Sequence, residues 1–454
     1  MKNKKNYRLV SILLFLSFFM FMQTGILNAQ NRSSDNNKNW PNWRGPLELG
    51  SSQYGNPPVE FSETKNIKWK IPLPGKGHST PIIWGDQIFV TTAIQIGETP
   101  KEPVKEEDGQ TRRRGMSGTK TDLMHKFVVM SIDRNSGKVN WETVVKEEVP
   151  QENTHTLGSW ASNSPVTDGK NIYAYFGSRG LFCLDLKGKV LWERDFGQME
   201  KRNSFGEGSS PALYKDRIVI LWDHEGQSSI YTIDTKTGKN VWKIERDEMT
   251  TWGSPLMVES GGKTQVITSA TNKIRSYDLK NGELIWEGTG MTVNVIPNPM
   301  YFDGKLYLMS GFRGTALQVI DLARASGDIT GSDAILWEYN LDTPYTPSPV
   351  LMGGNLYFLR GNNGYLTCLD ANDGKINYAK QKVEGINAIY SSPTGVNGRL
   401  YIAATDIVNV IKAGPAYELL FSNKLDDTFH ASPVAIGNDL YLRGFKSLYC
   451  ISEE

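Results

Sequence analysis

A unit of roughly 40 to 50 residues recurs from Ser79 to the end of the chain, and repetition at that period restricts the fold more than any single motif does. Each unit opens with a small or polar residue followed by proline, at Pro81, Pro165, Pro211, Pro255, Pro299, Pro349, Pro393 and Pro433. A turn and an alternating strand come next, as in Asp86-Gln87-Ile88-Phe89-Val90, Lys170-Asn171-Ile172-Tyr173 and Gly354-Asn355-Leu356-Tyr357. A third strand then enters an Asp-x-x-x-Gly turn and ends on an aromatic residue: Asp133 to Gly137 with Trp141, Asp234 to Gly238 with Trp242, Asp278 to Gly282 with Trp286, Asp370 to Gly374 with Tyr378. Asp accepts from the turn's backbone donors, Gly takes the positive φ, and the aromatic ring packs between neighbouring sheets. The run Asp185, Gly188, Trp192 is one residue shorter, and Asp321 to Trp337 carries an insertion.

The last unit, Ala431 to Glu454, stops after its third strand. Its missing partner lies at the other end, where Asn66-Ile67-Lys68-Trp69-Lys70 carries the aromatic signal ahead of the first proline unit. Counting outer aromatics as Trp69, Trp141, Trp192, Trp242, Trp286, Trp337, Tyr378 and Phe421 gives eight, matching the prolines. The expectation is all-β: a single eight-bladed β-propeller over 59–454, closed by an N-terminal strand completing the last blade. Seven blades is the alternative, should the weak unit from Ser391 to Phe421 prove irregular.

Lys2, Lys4, Lys5 and Arg8 precede an apolar run from Leu9 to about Met22, and a small residue, Ala29, follows. This is the order of a signal peptide over 1–29, so a periplasmic or secreted protein with no integral span after cleavage is expected. A polar linker and N-terminal wrap is read over 30–58. Fifty Lys and Arg stand against 49 Asp and Glu, a net charge of +1, so nothing global advertises nucleic acid. Cys183, Cys368 and Cys450 occupy the same place in three repeats, each read as a small buried strand residue rather than half of a disulfide. An insertion from about 95 to 126 in the first blade holds Arg112-Arg113-Arg114 and reads as a solvated surface loop.

The pattern small-x-Asp-x-x-x-Gly-x-x-x-Trp, at Ser131 to Trp141 and Ser276 to Trp286, resembles the pyrroloquinoline-quinone-like (PQQ-like) propeller repeat family. More narrowly, Trp40-Pro41-Asn42-Trp43-Arg44-Gly45-Pro46, Gly77-His78-Ser79-Thr80-Pro81, Phe205-Gly206-Glu207-Gly208-Ser209-Ser210-Pro211 and Trp222-Asp223-His224-Glu225-Gly226 are similar to a secreted bacterial subgroup of PQQ-binding-like propellers. The wider family includes quinoprotein alcohol dehydrogenases and a lipoprotein that helps insert outer-membrane barrels; they share a fold, not an activity. The resemblance implies PQQ with Ca²⁺ as the cofactor of an oxidoreductase acting on an alcohol or sugar. The chain departs from the dehydrogenase pattern in having no two adjacent cysteines and no Cys-x-x-Cys-His.

In a propeller, the loop leading into each innermost strand and the loop joining the second and third strands emerge on one face around the axis. Those loops bring His78, His155, Trp160, Arg179, Phe205, Glu207, His224, Trp252, Asn294, Arg313, Tyr345, Tyr390 and His430 forward as an expected ligand-binding rim. Aromatic rings with Arg, Glu and Asn behind them suit a small polar ligand, a glycan or an envelope protein. His224 and Glu225 are the candidates for acid/base roles if the chain is catalytic, and no metal ligands are assigned. The bland alternative is that the rings plug the axis while His and Arg tie loops together. A monomer is expected.

Overall fold

The computed structural model describes residues 38–97 and 122–453. These residues form eight antiparallel four-stranded sheets, the blades of a propeller, two of them extended by a short fifth strand. Blade 1 runs through Ile82–Trp84, Gln87–Gln95, His125–Asp133 and Val139–Glu148. The following blades begin on Val166–Thr167, Ala212–Tyr214, Leu256–Ser260, Met300–Phe302, Val350–Met352, Thr394–Val396 and Val434–Ile436. The seventh unit is regular, with Thr394–Val396, Arg399–Ala403, Thr405–Lys412 and Leu419–Thr428 paired in order, so the ring has eight blades and not seven. In blade 1 the hairpin extends to a Gln95–His125 pair, and most of the expected insertion falls on residues 98–121, outside the described ones. The expected signal peptide also lies outside them.

Ile67–Pro72 is the outer strand of blade 8, antiparallel to Ser447–Ile451, with Trp69 opposite Cys450. The outer aromatics share this register: Trp141 faces Ser131, Trp192 faces Cys183, Tyr378 faces Cys368 and Phe421 faces Val410. Position in the repeat decides what each ring touches. Trp69, Trp141, Trp192, Trp242 and Trp337 reach the Asp-turn of the next blade, where each indole N–H donates to a turn carbonyl, Trp69 to Arg134 at 3.0 Å and Trp141 to Leu186 at 3.0 Å. The ring then covers the turn glycine so closely that a Cβ on Gly137 would lie 2.8 Å from Trp69, which with the positive φ makes glycine obligatory there. Trp286 differs because the insertion in blade 5 brings Gly327–Asp328 alongside it as a fifth strand, and its indole turns to Gln265 in its own blade. Phe421 is 38% exposed, because blade 8 takes its outer strand from the N-terminal side and has no third-to-fourth turn for Phe421 to cover. The cysteines are free and buried, and burial pushes the Cys183 thiol up to about 12.

The residue before each repeat proline forms a closed belt of hydrogen bonds around the axis. The backbone N–H of Thr80 donates to Ser164 Oγ at 2.9 Å, Ser164 to Ser210, Ser210 to Ser254, and Ser254 to Asn298 Oδ1. Asn298 then donates to Ser348, Ser348 to Ser392, Ser392 to Ser432, and Ser432 back to Thr80 Oγ1. Innermost strands splay from one another, so their N–H groups have no sheet partner on that side; a short polar side chain from the next blade satisfies each one.

The opposite side of the belt is filled by the N-terminal segment. Trp40 exchanges backbone hydrogen bonds with Ile83, and Pro41 accepts from Thr167 N. Ser51–Ser52 adds to the inner edge of blade 7, parallel to Gly395–Val396. Residues 55–61 then pass blades 7 and 8: Asn56 N donates to Gly437 O, Tyr401 donates its hydroxyl to Pro57 O, and Phe61 N donates to Asn423 Oδ1. The segment therefore occupies the base of the axis before it supplies the closing strand.

Candidate ligand face

The loops of blades 2 to 4 carry a buried charged network. Arg179 Nη1 lies 3.3 Å from Glu207 Oε1, and Glu207 also accepts from the Ser178 N–H and hydroxyl. Asp223 holds Arg246 through two bonds, at 2.8 and 3.2 Å, and Arg246 donates further to Thr268 and to the Tyr277 hydroxyl. Glu248 accepts from Arg275 at 2.9 Å. Lys201 is buried, its ammonium donating to the carbonyls of Asp223 and Thr251; burial lowers its basicity. Burial likewise pushes the nearby Glu152 carboxyl up to about 7. The charges here are spent on one another or on backbone groups, which fixes the loops.

A second cluster lies where blade 8 meets blade 1. His78 stacks on Phe445 with centroids 5.1 Å apart and 19° between planes, and meets the His430 ring edge-on at 5.1 Å. His430 also packs at 4.7 Å against both Tyr390 and Phe445. Its Nδ1 lies 3.3 Å from Leu157 O. Burial holds both imidazoles neutral, that of His430 down at about 4, with the Lys76 ammonium adding to the effect. His78 Nε2 is buried and has no hydrogen-bond partner. Asp427 shapes the adjoining turn, its carboxylate accepting from the N–H groups of Thr428, Phe445, Lys446 and Ser447. That turn presents the Phe445 ring.

The structure thus gathers His78, Tyr390 and His430, and pairs Arg179 with Glu207. His155 packs edge-on to Phe205 at 5.2 Å, and its Nδ1 accepts from Leu157 N. Tyr345 stacks on Phe312 at 4.7 Å, beside a buried Asn294 whose Oδ1 lacks a partner. Arg313 is exposed on the Phe312 side of that pair. Trp160 packs on His125, its indole donating to Glu152 O, and Trp252 is buried under Lys201, donating to Gly206 O. His224 has both ring nitrogens on backbone: Nδ1 accepts from Glu200 and Gly226 N–H, and Nε2 faces Gln227 O. Glu225 is exposed and accepts from Thr250 N. Sequence reading missed Phe445, Lys76 and Lys201; Phe445 lies in a loop of the right class beside Lys446, and its loop position was the available signal.

A metal-held quinone needs acidic or amide ligands converging on one point and cations for its carboxylates. Among the described residues no group of three or more His, Cys, Asp and Glu side chains converges in that way. Of the buried carboxylates on this face, Glu207, Asp223 and Glu248 are each committed to an arginine and Asp427 to backbone N–H groups. These residues do not fit that cofactor.

Eight radial four-stranded blades, most with an Asp-turn and a docked tryptophan, define an eight-bladed β-propeller built of one sequence repeat. A family profile described as "Outer membrane protein assembly factor BamB" matches residues 125–326. That match supports repeats of the PQQ-like β-propeller type over this stretch of the chain. Among solved structures it is similar to a europium-containing methanol dehydrogenase, at 11% identity over 90% of each chain and a TM-score of 0.62. BamB from Moraxella catarrhalis is similar at 12% identity, over 85% of this chain and 96% of that one, with a TM-score of 0.56. A quinohemoprotein alcohol dehydrogenase from Pseudomonas putida HK5 aligns at 11% identity over 93% and 81%, with a TM-score of 0.60. No curated protein sequence matches. At these identities the likeness is one of fold. Among the described residues no helix is long and apolar enough to cross a membrane.

Proposed function

We propose that this chain is an exported binding propeller that takes a polar, ring-bearing ligand of saccharide type on its loop face, without turning it over. The observation that carries the reading is the His78, His430, Tyr390 and Phe445 cluster, in which the half-buried Tyr390 and Phe445 rings bring aromatic planes and a phenol hydroxyl to the face. Sugars present an apolar ring face for stacking and hydroxyls for directed bonds, which is the pairing this cluster offers. The reading without turnover is supported by Glu207, Asp223 and Glu248, which are locked to Arg179, Arg246 and Arg275; Glu152, which burial pushes up to about 7, is in none of these ion pairs and is a further group to replace if turnover is found. His224 and Glu225 remain the pair to replace if oxidation of an alcohol or sugar is ever detected. Export rests on the charged, apolar, small-residue order of 1–29 and is checked by the N-terminal sequence of the protein recovered from the bacterial envelope.

The test is capture on a glycan array by the mature chain and by Tyr390→Ala/Phe445→Ala. A saccharide class retained by the first and lost by the folded second supports the reading, and equal capture by both sinks it. A second reading, a scaffold in outer-membrane protein assembly, is favoured by the family profile over 125–326. Co-purification with outer-membrane assembly proteins, without glycan capture, would select it.

A further inference from the structure

The belt that closes the propeller is rich in donors and poor in acceptors. Seven of its eight members are hydroxyl residues, Thr80, Ser164, Ser210, Ser254, Ser348, Ser392 and Ser432, each 5% exposed or less. Every one of these oxygens accepts a neighbour's N–H, and among the described residues none donates its own proton to a protein group. A hydroxyl that accepts still has one O–H to place, and a buried donor left unplaced costs free energy.

Arg44 reaches the same ring from the base of the axis. Its guanidinium donates to the carbonyls of Pro349 at 2.6 Å and Pro393 at 3.4 Å, the residues directly after belt members Ser348 and Ser392. Beside it, Trp43 donates its indole N–H to belt member Ser432. Arg44 is 3% exposed, its Nε has no partner, and no carboxylate pairs with it. A second unpaired guanidinium, Arg443, lies against Ser79 and Thr91 next to belt member Thr80, again with an unpartnered Nε. Burial weakens both cations, to about 9, because no negative charge offsets it. Burying a cation without a counter-charge is among the more costly arrangements a core can hold.

We propose that the axial belt and Arg44 form a binding site for a small oxyanion. An oxyanion is rich in acceptors, and even hydrogen phosphate has more acceptor oxygens than O–H groups: it takes the hydroxyl protons and the free guanidinium N–H and supplies the missing charge. Water would take the protons but leave Arg44 uncompensated. The inference is independent of what the loop face binds.

The test is the thermal midpoint of the mature chain, residues 38–454 included, titrated with sodium phosphate against sodium chloride at equal ionic strength. The expected result is a saturable rise with phosphate that chloride does not reproduce. Arg44→Met should weaken the phosphate response by about tenfold or more, through loss of a charge-assisted partner. Ser348→Ala and Ser392→Ala, which leave Arg44 in place, should weaken it by a smaller factor and cover the case in which Arg44→Met does not fold. No phosphate-specific rise, or a rise unchanged in the folded variants, overturns the proposal. Glucose 6-phosphate in parallel separates two sources of the anion. Tighter binding than phosphate that depends on Tyr390 means the phosphoryl group of a ligand from the loop face, and equal binding that ignores Tyr390 means a free ion.

Discussion

Ser432 donates its backbone N–H to Thr80 Oγ1 at 3.1 Å, and this bond joins the innermost strand of the last blade to that of the first. Ser432 Oγ accepts twice, from Ser392 N and from the Trp43 indole, so the same residue fastens the N-terminal segment to the ring. Ser432→Ala orphans a buried N–H and a half-buried indole N–H where Ser164→Ala orphans one buried N–H. At about 1–3 kcal/mol for each unsatisfied donor, Ser432→Ala is expected to cost more than Ser164→Ala in denaturant titrations.

Ring closure has a second, outer component in Trp69. Trp69 is 8% exposed and covers the Asp133–Gly137 turn of blade 1, so Trp69→Ala removes a packed indole together with its bond to Arg134 O. A loss of about 3–5 kcal/mol is expected. Phe421 holds the equivalent register in blade 7 but has no turn beneath it, and Phe421→Ala should stay within about 1 kcal/mol of the parent. Similar losses at both positions would contradict the asymmetry.

The imidazole cluster gives stability a pH dependence of defined sign. Burial depresses His430 to about 4 from an unfolded value near 6.5, so between those values the unfolded chain binds more protons. The contribution is therefore fully present above about pH 6.5 and is lost as pH falls toward 4. The groups that act on His430 from neighbouring elements are Lys76 and His155, which add to the depression, and Leu157 O, which opposes it. His430→Phe keeps an aromatic ring in place and should flatten the slope of unfolding free energy over pH 4–6.5; an unchanged slope would show that His430 does not supply it.

Asp427 positions the Phe445 turn without belonging to the stack. Asp427→Ala removes the side-chain acceptor of the N–H groups of residues 428 and 445–447, of which Phe445 keeps Thr428 O, and removes the carboxylate that Gly444 packs against. Lower stability is expected, together with a changed near-ultraviolet circular dichroism signal as Phe445 leaves His78. Asp427→Asn keeps one acceptor and should restore part of both; a stability loss without the spectral change would separate the turn from the stack.

Much of this architecture was legible because each repeat spends the same residue types on the same task. The outer aromatics could be counted and aligned before any coordinates, and they fall in one register, including the displaced Trp69. The small or polar residue before each proline was visible as a pattern, but its role in the belt depends on a neighbouring blade about 40 residues away, which local sequence does not express. The face was harder. Trp160 and Trp252 sit in the right loops, yet their indole N–H groups find carbonyls and their rings pack inward. Arg44, in a stretch read as linker and wrap, reaches the axis because the segment supplies inner edges to blades 1 and 7.

The most direct test of the account is the thermal midpoint of the mature chain and of Tyr390→Ala/Phe445→Ala across a panel of saccharides, with PQQ plus Ca²⁺ in the same series. The account predicts that one saccharide class raises the midpoint of the parent and leaves that of the folded variant unmoved. A rise with PQQ plus Ca²⁺ and with no saccharide would contradict it.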